Sequence, residues 1–342
     1  MGRIKVALAG FGTGGRIFHA PFIDAHPDFE LKYVYERSRK SASEIYPDAV
    51  SFSSYEEMLK TDCELVVVAL PNDLHYDAVR LALLSGKNVL CDKPFCPTAR
   101  QAEELFDLAK EKGLFLSVYQ NRRFDSHIRS AKKLLDHGAL GEVYDCTMRF
   151  ERFQTSRNKK LWKSEDPTTG ILYDLGIHLI DSAYYLFGMP EAVFSSMRIL
   201  HPFNAVCDRA DVELFYQNGF KVSLVMSQAA CKAENVLVIH ASKASFFKSS
   251  EDPQEKRLGE GMKADSAALT IEGEDQQGII YYPDKSFELC PAPDGGYMDI
   301  YSLLGEGIRG GKPFVDKKQA TDILKILEAA IKSNLEKRII EL

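Results

Sequence analysis

The segment Ile4-Lys-Val-Ala-Leu-Ala9, followed at once by Gly10-Phe-Gly12-Thr-Gly-Gly15, decides the fold of this chain. A short apolar run that ends in glycine is typical of a buried strand, and these glycines have the spacing G-x-G-x-x-G. In such a loop Gly10 permits a tight turn, Gly12 lets the backbone approach a pyrophosphate, and Gly15 allows close helix–strand packing. Glycines also mark ordinary turns, but here they follow a strand and lead into a helix whose free N–H groups attract phosphate. The segment therefore predicts a dinucleotide-binding site.

Strand-like and helix-like segments alternate over the first 120 residues. Four further short apolar runs lack polar alternation, as strands buried on both faces do: Glu30–Tyr35, Leu65–Leu70, Asn88–Cys91 and Phe115–Tyr119. Capping-box spacings such as Thr98-Ala-Arg-Gln101 begin the helical segments between them. This order predicts an α/β fold in which residues 1–122 form a Rossmann domain, with a doubly wound parallel sheet.

The pattern changes after about residue 140, and residues 123–342 are expected to form an α+β domain with a largely antiparallel, open-faced sheet. Asn218-Gly219 lies between two apolar runs, which is a strong hairpin signal. Gly170–Phe187 is predicted to be helical, and the predicted helix Gln319–Glu336 would pack back on the first domain. The polar stretch Ser249–Asp265 is expected to be a mobile loop.

Composition excludes several classes of function. The 342 residues carry a formal net charge of −6, which argues against nucleic acid or an anionic membrane as a partner. No apolar stretch approaches the roughly 20 residues of a membrane span. The seven cysteines include no Cys-x-x-Cys pair, so neither a zinc site nor a redox pair is indicated, and free thiols predict a cytoplasmic protein.

The residues after the second predicted strand bear on the choice of cofactor. Glu36 lies where a carboxylate holds the ribose hydroxyls, which favours NAD. Arg37-Ser38-Arg39 follows directly, and an arginine with a serine can hold the 2′-phosphate of NADP. NAD is preferred on the basis of Glu36, with NADP as the alternative.

Three residues form the candidate catalytic set. Lys93 follows the fourth strand, at the sheet edge where ligands bind, and can stabilise a developing alkoxide, although a surface lysine beside a turn proline is equally plausible. Asp174 and His178 are spaced i,i+4 and Asp181 is three residues further on, so a helix would place them on one face. The histidine is suited to proton transfer, but the same three side chains also fit half of a metal site or a capped helix start.

Other polar and aromatic residues are candidates for the cleft. Pro71, Asn72 and His75 follow the third strand, and Asn121 and Arg123 follow the fifth, where they either line the cleft or cap helices and pair charges. The only tryptophan, Trp162, covers a ring ligand or belongs to the core. The predicted cofactor-binding set comprises Gly10, Phe11, Gly12, Gly15, Arg16, Glu36, Arg37, Pro71, Asn72, His75 and Lys93. The predicted substrate-binding set comprises Asn121, Arg123, Trp162, Asp174 and His178.

Taken together, these motifs resemble the Gfo/Idh/MocA family of oxidoreductases over essentially the whole chain. Ser117-Val-Tyr-Gln-Asn-Arg-Arg-Phe-Asp125, Leu172-Tyr-Asp-Leu-Gly-Ile-His-Leu-Ile-Asp181 and Leu186-Phe-Gly-Met-Pro190 are similar to the scyllo-inositol dehydrogenases of that family. The resemblance implies that Lys93 polarises the reacting hydroxyl, that Asp174 holds the substrate and that His178 is the acid/base. Two departures occur: Asp92 replaces the usual glutamate before Lys-Pro, and the usual glycine run is reduced to Thr169-Gly170-Ile171.

The leading hypothesis is an NAD(P)-dependent dehydrogenase that moves a hydride between a cyclic polyol or sugar and nicotinamide, without a metal. The scyllo-inositol enzymes often use NADP, which opposes the interpretation of Glu36. The alternatives are a nucleotide-binding sensor or structural subunit without turnover, and a metal-dependent lyase built on Asp174, His178 and Asp181. A homodimer or homotetramer is expected, because an exposed sheet face is rarely left uncovered.

Overall fold

A computed structural model describes residues 2–37, 41–156 and 167–342. By its internal contacts the chain divides into two compact units. The first comprises residues 1–121, 253–271 and 295–321, and the second comprises 122–252, 272–294 and 322–342. The sequence-based division at residue 122 therefore differs from the structure in the two later segments that belong to the first unit.

The first unit is built on a six-stranded, all-parallel sheet with the order β3-β2-β1-β4-β5-β6. Its strands are β1 (Ile4–Ala9), β2 (Phe29–Tyr35), β3 (Val50–Phe52), β4 (Leu65–Val68), β5 (Asn88–Cys91) and β6 (Leu116–Val118). The helices between them are α1 (Ala20–Ala25), α2 (Ala42–Ile45), α3 (Tyr55–Leu59), α4 (His75–Leu84) and α5 (Ala99–Lys112). The predicted parallel Rossmann sheet is confirmed. The short strand β3 was not predicted.

The N-cap half of the predicted capping boxes forms at two of the helix starts. The side chain of Ser54 accepts a hydrogen bond from the backbone N–H of Glu57, and that of Thr98 accepts one from Gln101. These bonds satisfy backbone donors that a helix start leaves without an intrahelical partner. They fix where α3 and α5 begin, and so where the preceding strands end.

Two later segments complete the core of the first unit. Helix α8 (Gln254–Gly259) and helix α9 (Tyr297–Ile308) belong to them. The ring of Tyr301 stacks on Phe22 with centroids 5.5 Å apart, and both side chains are fully buried. Burial of such large rings is the physical reason why this distant segment packs against the N-terminal sheet.

The prediction of a mobile loop at 249–265 is wrong, because the structure places α8 within this range. Gln254 is fully buried and its side chain accepts the backbone N–H of Tyr297 at 2.8 Å. Arg257 donates to several backbone carbonyls, including that of Ala268. Polar residues that anchor backbone in this way are not distinguishable from loop residues by composition alone.

The second unit contains a nine-stranded sheet with the order β14-β13-β12-β11-β7-β10-β9-β8-β15. Its strands are β7 (Val143–Glu151), β8 (Ala192–Arg198), β9 (Arg209–Phe215), β10 (Lys221–Ser227), β11 (Leu237–Ala241), β12 (Ser245–Lys248), β13 (Gly278–Tyr281), β14 (Phe287–Cys290) and β15 (Ile340–Glu341). Among the described strands of this sheet only β7 and β10 pair in parallel, so the predicted, largely antiparallel sheet is confirmed. Asn218 has a φ of 66° in the β9–β10 hairpin, as the Asn-Gly signal predicts.

Three helices pack in the second unit: α6 (Ser126–Asp136), α7 (Ile177–Phe187) and most of α10 (Lys317–Glu336). The residues of α10 from Asp322 onward belong to this unit, where Ser333 accepts a hydrogen bond from the backbone of Ser195 at 2.9 Å. The returning helix that packs within the first unit is α9, whereas the sequence suggested the C-terminal helix for that role.

No helix in the described part of the chain combines the length and the apolar character that a membrane span requires.

Candidate functional site

The glycine loop of the first unit has the geometry that its sequence predicts. Gly10 has a φ of +105°, in the region that favours glycine, and a side chain there would overlap the carbonyl oxygen of Ala69. A Cβ at Gly15 would overlap the carbonyl oxygen of Gly10. A Cβ at Gly12, by contrast, would meet no atom within 4 Å. The loop is therefore closed towards the sheet and open at Gly12, which is the arrangement that admits a pyrophosphate.

We expect the two glycines to respond differently to substitution. Gly12→Val adds a side chain on the open side, so it is expected to weaken dinucleotide binding at least about 10-fold while the thermal midpoint of unfolding stays nearly unchanged. Gly15→Ala forces the loop apart and is expected to cost about 1–3 kcal/mol of stability. Fluorescence titration with NADPH and thermal unfolding measure both effects. Equal destabilisation by both substitutions would contradict the assigned geometry.

The other residues around the loop differ in exposure. Phe11 is buried and contacts the ring of Tyr46 edge to face, with centroids 6.1 Å apart. Arg16 is exposed, and its backbone N–H donates to the carbonyl of Gly12 at 2.9 Å. Pro71 is exposed and Asn72 is half-buried at the turn that precedes α4. These positions lie at the carboxyl ends of β1 and β4, which is the ligand-binding edge of a parallel sheet.

Glu36 is engaged within the protein. One carboxylate oxygen accepts hydrogen bonds from the hydroxyl and the backbone N–H of Ser41, at 2.8 and 3.2 Å, and the other accepts the backbone N–H of Ala42 at 2.9 Å. The side chain is buried and caps the start of α2, where a negative charge is favourable. Arg37 beside it is exposed. Ser38 and Arg39 lie outside the described residues.

The turn after β5 carries Lys93. The Lys93–Pro94 peptide bond is cis, and Lys93 is half-buried. His75 braces this turn, because its two ring nitrogens lie 2.8 Å from the carbonyl oxygens of Pro94 and Leu70. His75 is fully buried. These contacts indicate that His75 supports the lysine turn, and its predicted contact with the cofactor stays a prediction.

Asp174 and His178 lie in the second unit. Residues Leu172–Gly176 form a π-helical turn that runs directly into α7, so the two side chains are not carried by one regular α-helix as the spacing suggested. Such wide turns are frequent at functional sites. Asp174 is half-buried, and His178 is 5% exposed. The His178 ring lies nearly parallel to that of Phe150, with centroids 6.4 Å apart.

Asp181 and Arg123 are paired with each other. The Arg123 side chain donates three hydrogen bonds to the Asp181 carboxylate, at distances between 2.7 and 3.1 Å, and both residues are buried. Burial raises the pKa of Asp181, and the charge of Arg123 and its hydrogen bonds oppose that rise. The pair joins the start of α6 to α7. Arg123 was predicted to bind substrate, and the alternative of charge pairing fits its position better.

Asn121 ends the first unit as a 5% exposed side chain at the start of a short turn. Trp162 lies outside the described residues, so its predicted role stays a prediction. Within the described ranges there is no group of three His, Cys, Asp or Glu side chains that could hold a metal ion. The metal-lyase hypothesis needed Asp181 as a ligand, and that carboxylate is engaged by Arg123.

Two features of the site were missed at the level of sequence. Phe150 is an ordinary apolar position of β7, yet its ring contacts that of His178. The guanidinium groups of Arg122 and Arg152 also lie over this ring, 5.4 and 4.8 Å from its centroid. His19 contacts Asp92 from the turn after the glycine loop. The unusual Asp92 was the one sequence signal near the contact between His19 and Asp92. Apolar periodicity does not show which buried polar groups contact each other.

The glycine loop on a parallel sheet, with a lysine at the same sheet edge, defines a nicotinamide-dinucleotide-dependent oxidoreductase. Comparison with known proteins places the chain within that class. Residues 4–120 match the model of the oxidoreductase family with an NAD-binding Rossmann fold, and residues 128–247 match the GFO/IDH/MocA C-terminal domain. The chain belongs to the Gfo/Idh/MocA family, as its motifs predicted.

The chain is similar to known relatives and to solved structures along its whole length. It is 36% identical to the uncharacterized oxidoreductase C26H5.09c of Schizosaccharomyces pombe, over 98% of this chain and 97% of that protein. It is 31% identical to scyllo-inositol 2-dehydrogenase (NADP(+)) IolW of Bacillus subtilis, over 99% and 96%. The structure of the oxidoreductase yvaA from Bacillus subtilis superimposes with a TM-score of 0.94 at 30% identity, covering 100% of this chain and 99% of that one.

Proposed function

We propose that this protein reversibly oxidises a secondary alcohol of a cyclic polyol or sugar, with an inositol as the first candidate and NADP as the hydride acceptor. The proposal rests on Lys93, beside the glycine loop of the first unit, and on Asp174 and His178, at the start of α7 in the second unit, which are the residues to which the family resemblance assigns this chemistry. The name of the relative IolW supports an inositol and NADP. A sensor without turnover has no need of the second and third of these residues.

His178, Lys93 and Asp174 each have a different role in the proposed reaction. The glycine loop of Gly10, Gly12 and Gly15 would hold the dinucleotide, and a bound cofactor would supply a nicotinamide ring able to accept a hydride from the alcohol carbon. His178 takes the hydroxyl proton as the C–O bond becomes a carbonyl. Lys93 donates a hydrogen bond to the oxygen while it carries alkoxide charge. Asp174 accepts hydrogen bonds from substrate hydroxyls and orients the ring. The products are a ketone, the reduced cofactor and one proton held by His178.

The contacts of Glu36 and the exposure of Arg37 favour NADP over NAD. The Glu36 carboxylate already accepts three hydrogen bonds at the start of α2, which leaves one of its roughly four acceptor positions for the two ribose hydroxyls that NAD would present. Exposed Arg37 is placed next to it and can pair with a 2′-phosphate. This reverses the weight that the sequence alone gave to Glu36.

Initial rates test the proposal. We expect turnover of scyllo-inositol, myo-inositol or a related polyol, with kcat/KM for NADP at least about 10-fold above that for NAD. Arg37→Ala is expected to lower kcat/KM for NADP and leave that for NAD unchanged. Arg80→Ala, which removes an exposed arginine of α4, is the matched control. Tight cofactor binding without turnover of any polyol or sugar would favour the sensor, and equal loss with both cofactors would contradict the role of Arg37.

We also propose that the open face of the nine-stranded sheet pairs with a second copy of the chain. Phe287 and Leu289 of β14 lie on this face beside Tyr281 of β13, and all three are exposed. Light scattering is expected to give a dimer or tetramer, and Phe287→Glu is expected to lower the mass at equal concentration. A monomeric wild-type protein would contradict this assignment. A cytoplasmic location stays a prediction.

A further inference from the structure

Behind the lysine turn of the first unit lies a buried polar network. His19 ends the π-helical turn that follows the glycine loop and is fully buried. Its Nδ1 lies 2.8 Å from the Tyr301 hydroxyl of α9, and its ring packs against Tyr119 with centroids 4.4 Å apart. Its Nε2 lies 3.6 Å from Oδ2 of Asp92. The histidine therefore contacts both the core and the residue that precedes Lys93.

The directions of the hydrogen bonds follow from the available protons. The Tyr301 hydroxyl donates to the carbonyl of Phe18 at 3.0 Å, so its one proton is used. His19 Nδ1 must then carry a proton and donate it to Tyr301. Nε2 is buried without a hydrogen-bond partner among the described residues, and the Asp92 carboxylate faces it. A proton on Nε2 as well, with a small movement of either side chain, would complete a charge-assisted hydrogen bond to Asp92.

Asp92 transmits this contact to the lysine. Its Oδ1 accepts the backbone N–H of Lys93 at 2.8 Å. Its Oδ2, which faces His19, lies 3.1 Å from the position that a Cβ of Gly14 would occupy. One short carboxylate thus lies between His19, the glycine loop and the backbone of Lys93. The family's usual glutamate would place its carboxylate one methylene further from that backbone, so the sequence departure at Asp92 matches this geometry.

The charges around Asp92 keep it an acceptor. Burial would raise the pKa of Asp92, but the contact with His19 and the electrostatic influence of Lys93 and His75 outweigh it and hold the pKa below its usual value. The titratable groups that face His19 itself are Asp92, Tyr119 and Tyr301.

We propose that His19, acting through Asp92, is a positioning residue that fixes Lys93 with respect to the glycine loop. The inference rests on the catalytic role proposed for Lys93. His19 touches neither the substrate nor the reacting atoms in this account. Loss of the His19 ring would allow the Asp92 carboxylate to turn away, and the turn that carries Lys93 would then be misplaced. The glycine loop would be unchanged, because none of its residues is replaced.

The test compares two buried histidines of the same unit. His19→Gln removes the group that faces Asp92. His26→Gln is the matched control, because His26 is also buried and its Nε2 lies 3.1 Å from the Ser302 hydroxyl of the same helix α9, but it does not contact Asp92. We expect His19→Gln to lower kcat about 10- to 100-fold and to raise the primary deuterium isotope effect, with NADPH affinity nearly unchanged. His26→Gln is expected to change thermal stability only.

Asp92→Asn provides the second variant and keeps the test valid if His19→Gln does not fold. It is expected to reproduce the fall in kcat, and the double variant is expected to be little worse than either single one, because both break one connection. In ¹⁵N-histidine NMR spectra, the His19 ring signal is identified by its absence in His19→Gln, and it is expected to shift in Asp92→Asn.

Three results separate the possible failures. If Lys93→Met retains turnover, the proposed function fails and the inference with it. If Lys93→Met is inactive while His19→Gln matches His26→Gln in kcat and isotope effect, only the role of His19 is overturned. Additive effects of His19→Gln and Asp92→Asn, or a His19 ring signal that ignores Asp92→Asn, would likewise contradict the proposed connection.

Discussion

Replacing His178 by alanine is expected to lower kcat for alcohol oxidation by about 10²- to 10⁴-fold, because no other group in the proposed mechanism takes the hydroxyl proton. NADP binding should be nearly unchanged, since the residues predicted to bind the cofactor belong to the first unit. His178 is 5% exposed, so the substitution leaves a cavity that a small base can enter. Added imidazole is therefore expected to restore part of the rate.

The matched control is His137→Ala, which removes an exposed histidine at the end of α6 in the same unit. It is expected to keep wild-type kcat with and without imidazole. A His178→Ala variant that retains more than about a tenth of wild-type activity would contradict the acid/base assignment. The kcat values of the two variants and the wild type are measured with saturating polyol and NADP. Each rate is divided by the amount of NADPH that the sample binds, so that the comparison of kcat does not depend on the folded fraction.

Replacing Asp181 by alanine is expected to destabilise the protein by about 3–5 kcal/mol, because the Arg123 guanidinium would stay buried without its carboxylate. The two residues share three hydrogen bonds, and their side chains are 4% and 0% exposed. Urea unfolding monitored by circular dichroism measures the loss.

The double variant Arg123→Leu/Asp181→Leu is the control for this pair. Replacing both charges with apolar side chains is expected to recover part of the stability that either single change loses. If Arg123→Leu instead raises KM for the polyol while stability stays at the wild-type level, Arg123 binds substrate, as its place in the sequence first suggested.

The sheets were predictable because their strands follow simple patterns. Ile4–Ala9 and Asn88–Cys91 are short and mostly apolar runs, and the structure reproduces both with the same bounds. The Asn-Gly turn also forced its hairpin. By contrast, the three-residue β3 is too short for periodicity to detect, and the return of α9 to the first unit depends on contacts between Tyr301 and Phe22, which lie far apart in sequence.

The candidate site was predictable as a set of residues and less so in their roles. The glycine spacing carried its own geometry, since Gly10 and Gly15 leave no room for a side chain. Glu36, His75 and Arg123 were predicted to bind ligands, and each also meets an internal partner that the sequence did not reveal. Those partners are Ser41, Pro94 and Asp181, and no pattern within one element reveals such contacts between elements.

Direct observation of hydride transfer is the most decisive measurement. The protein would be incubated with NADP and scyllo-inositol deuterated at its ring carbons, and the reduced cofactor would be analysed by NMR and mass spectrometry, with other deuterated polyols and sugars tested in parallel. The proposed function predicts one deuterium at nicotinamide C4 for each ketone formed, and loss of that product in His178→Ala and Lys93→Met. Absence of deuterated cofactor with every polyol and sugar, or equal transfer by both variants, would contradict it.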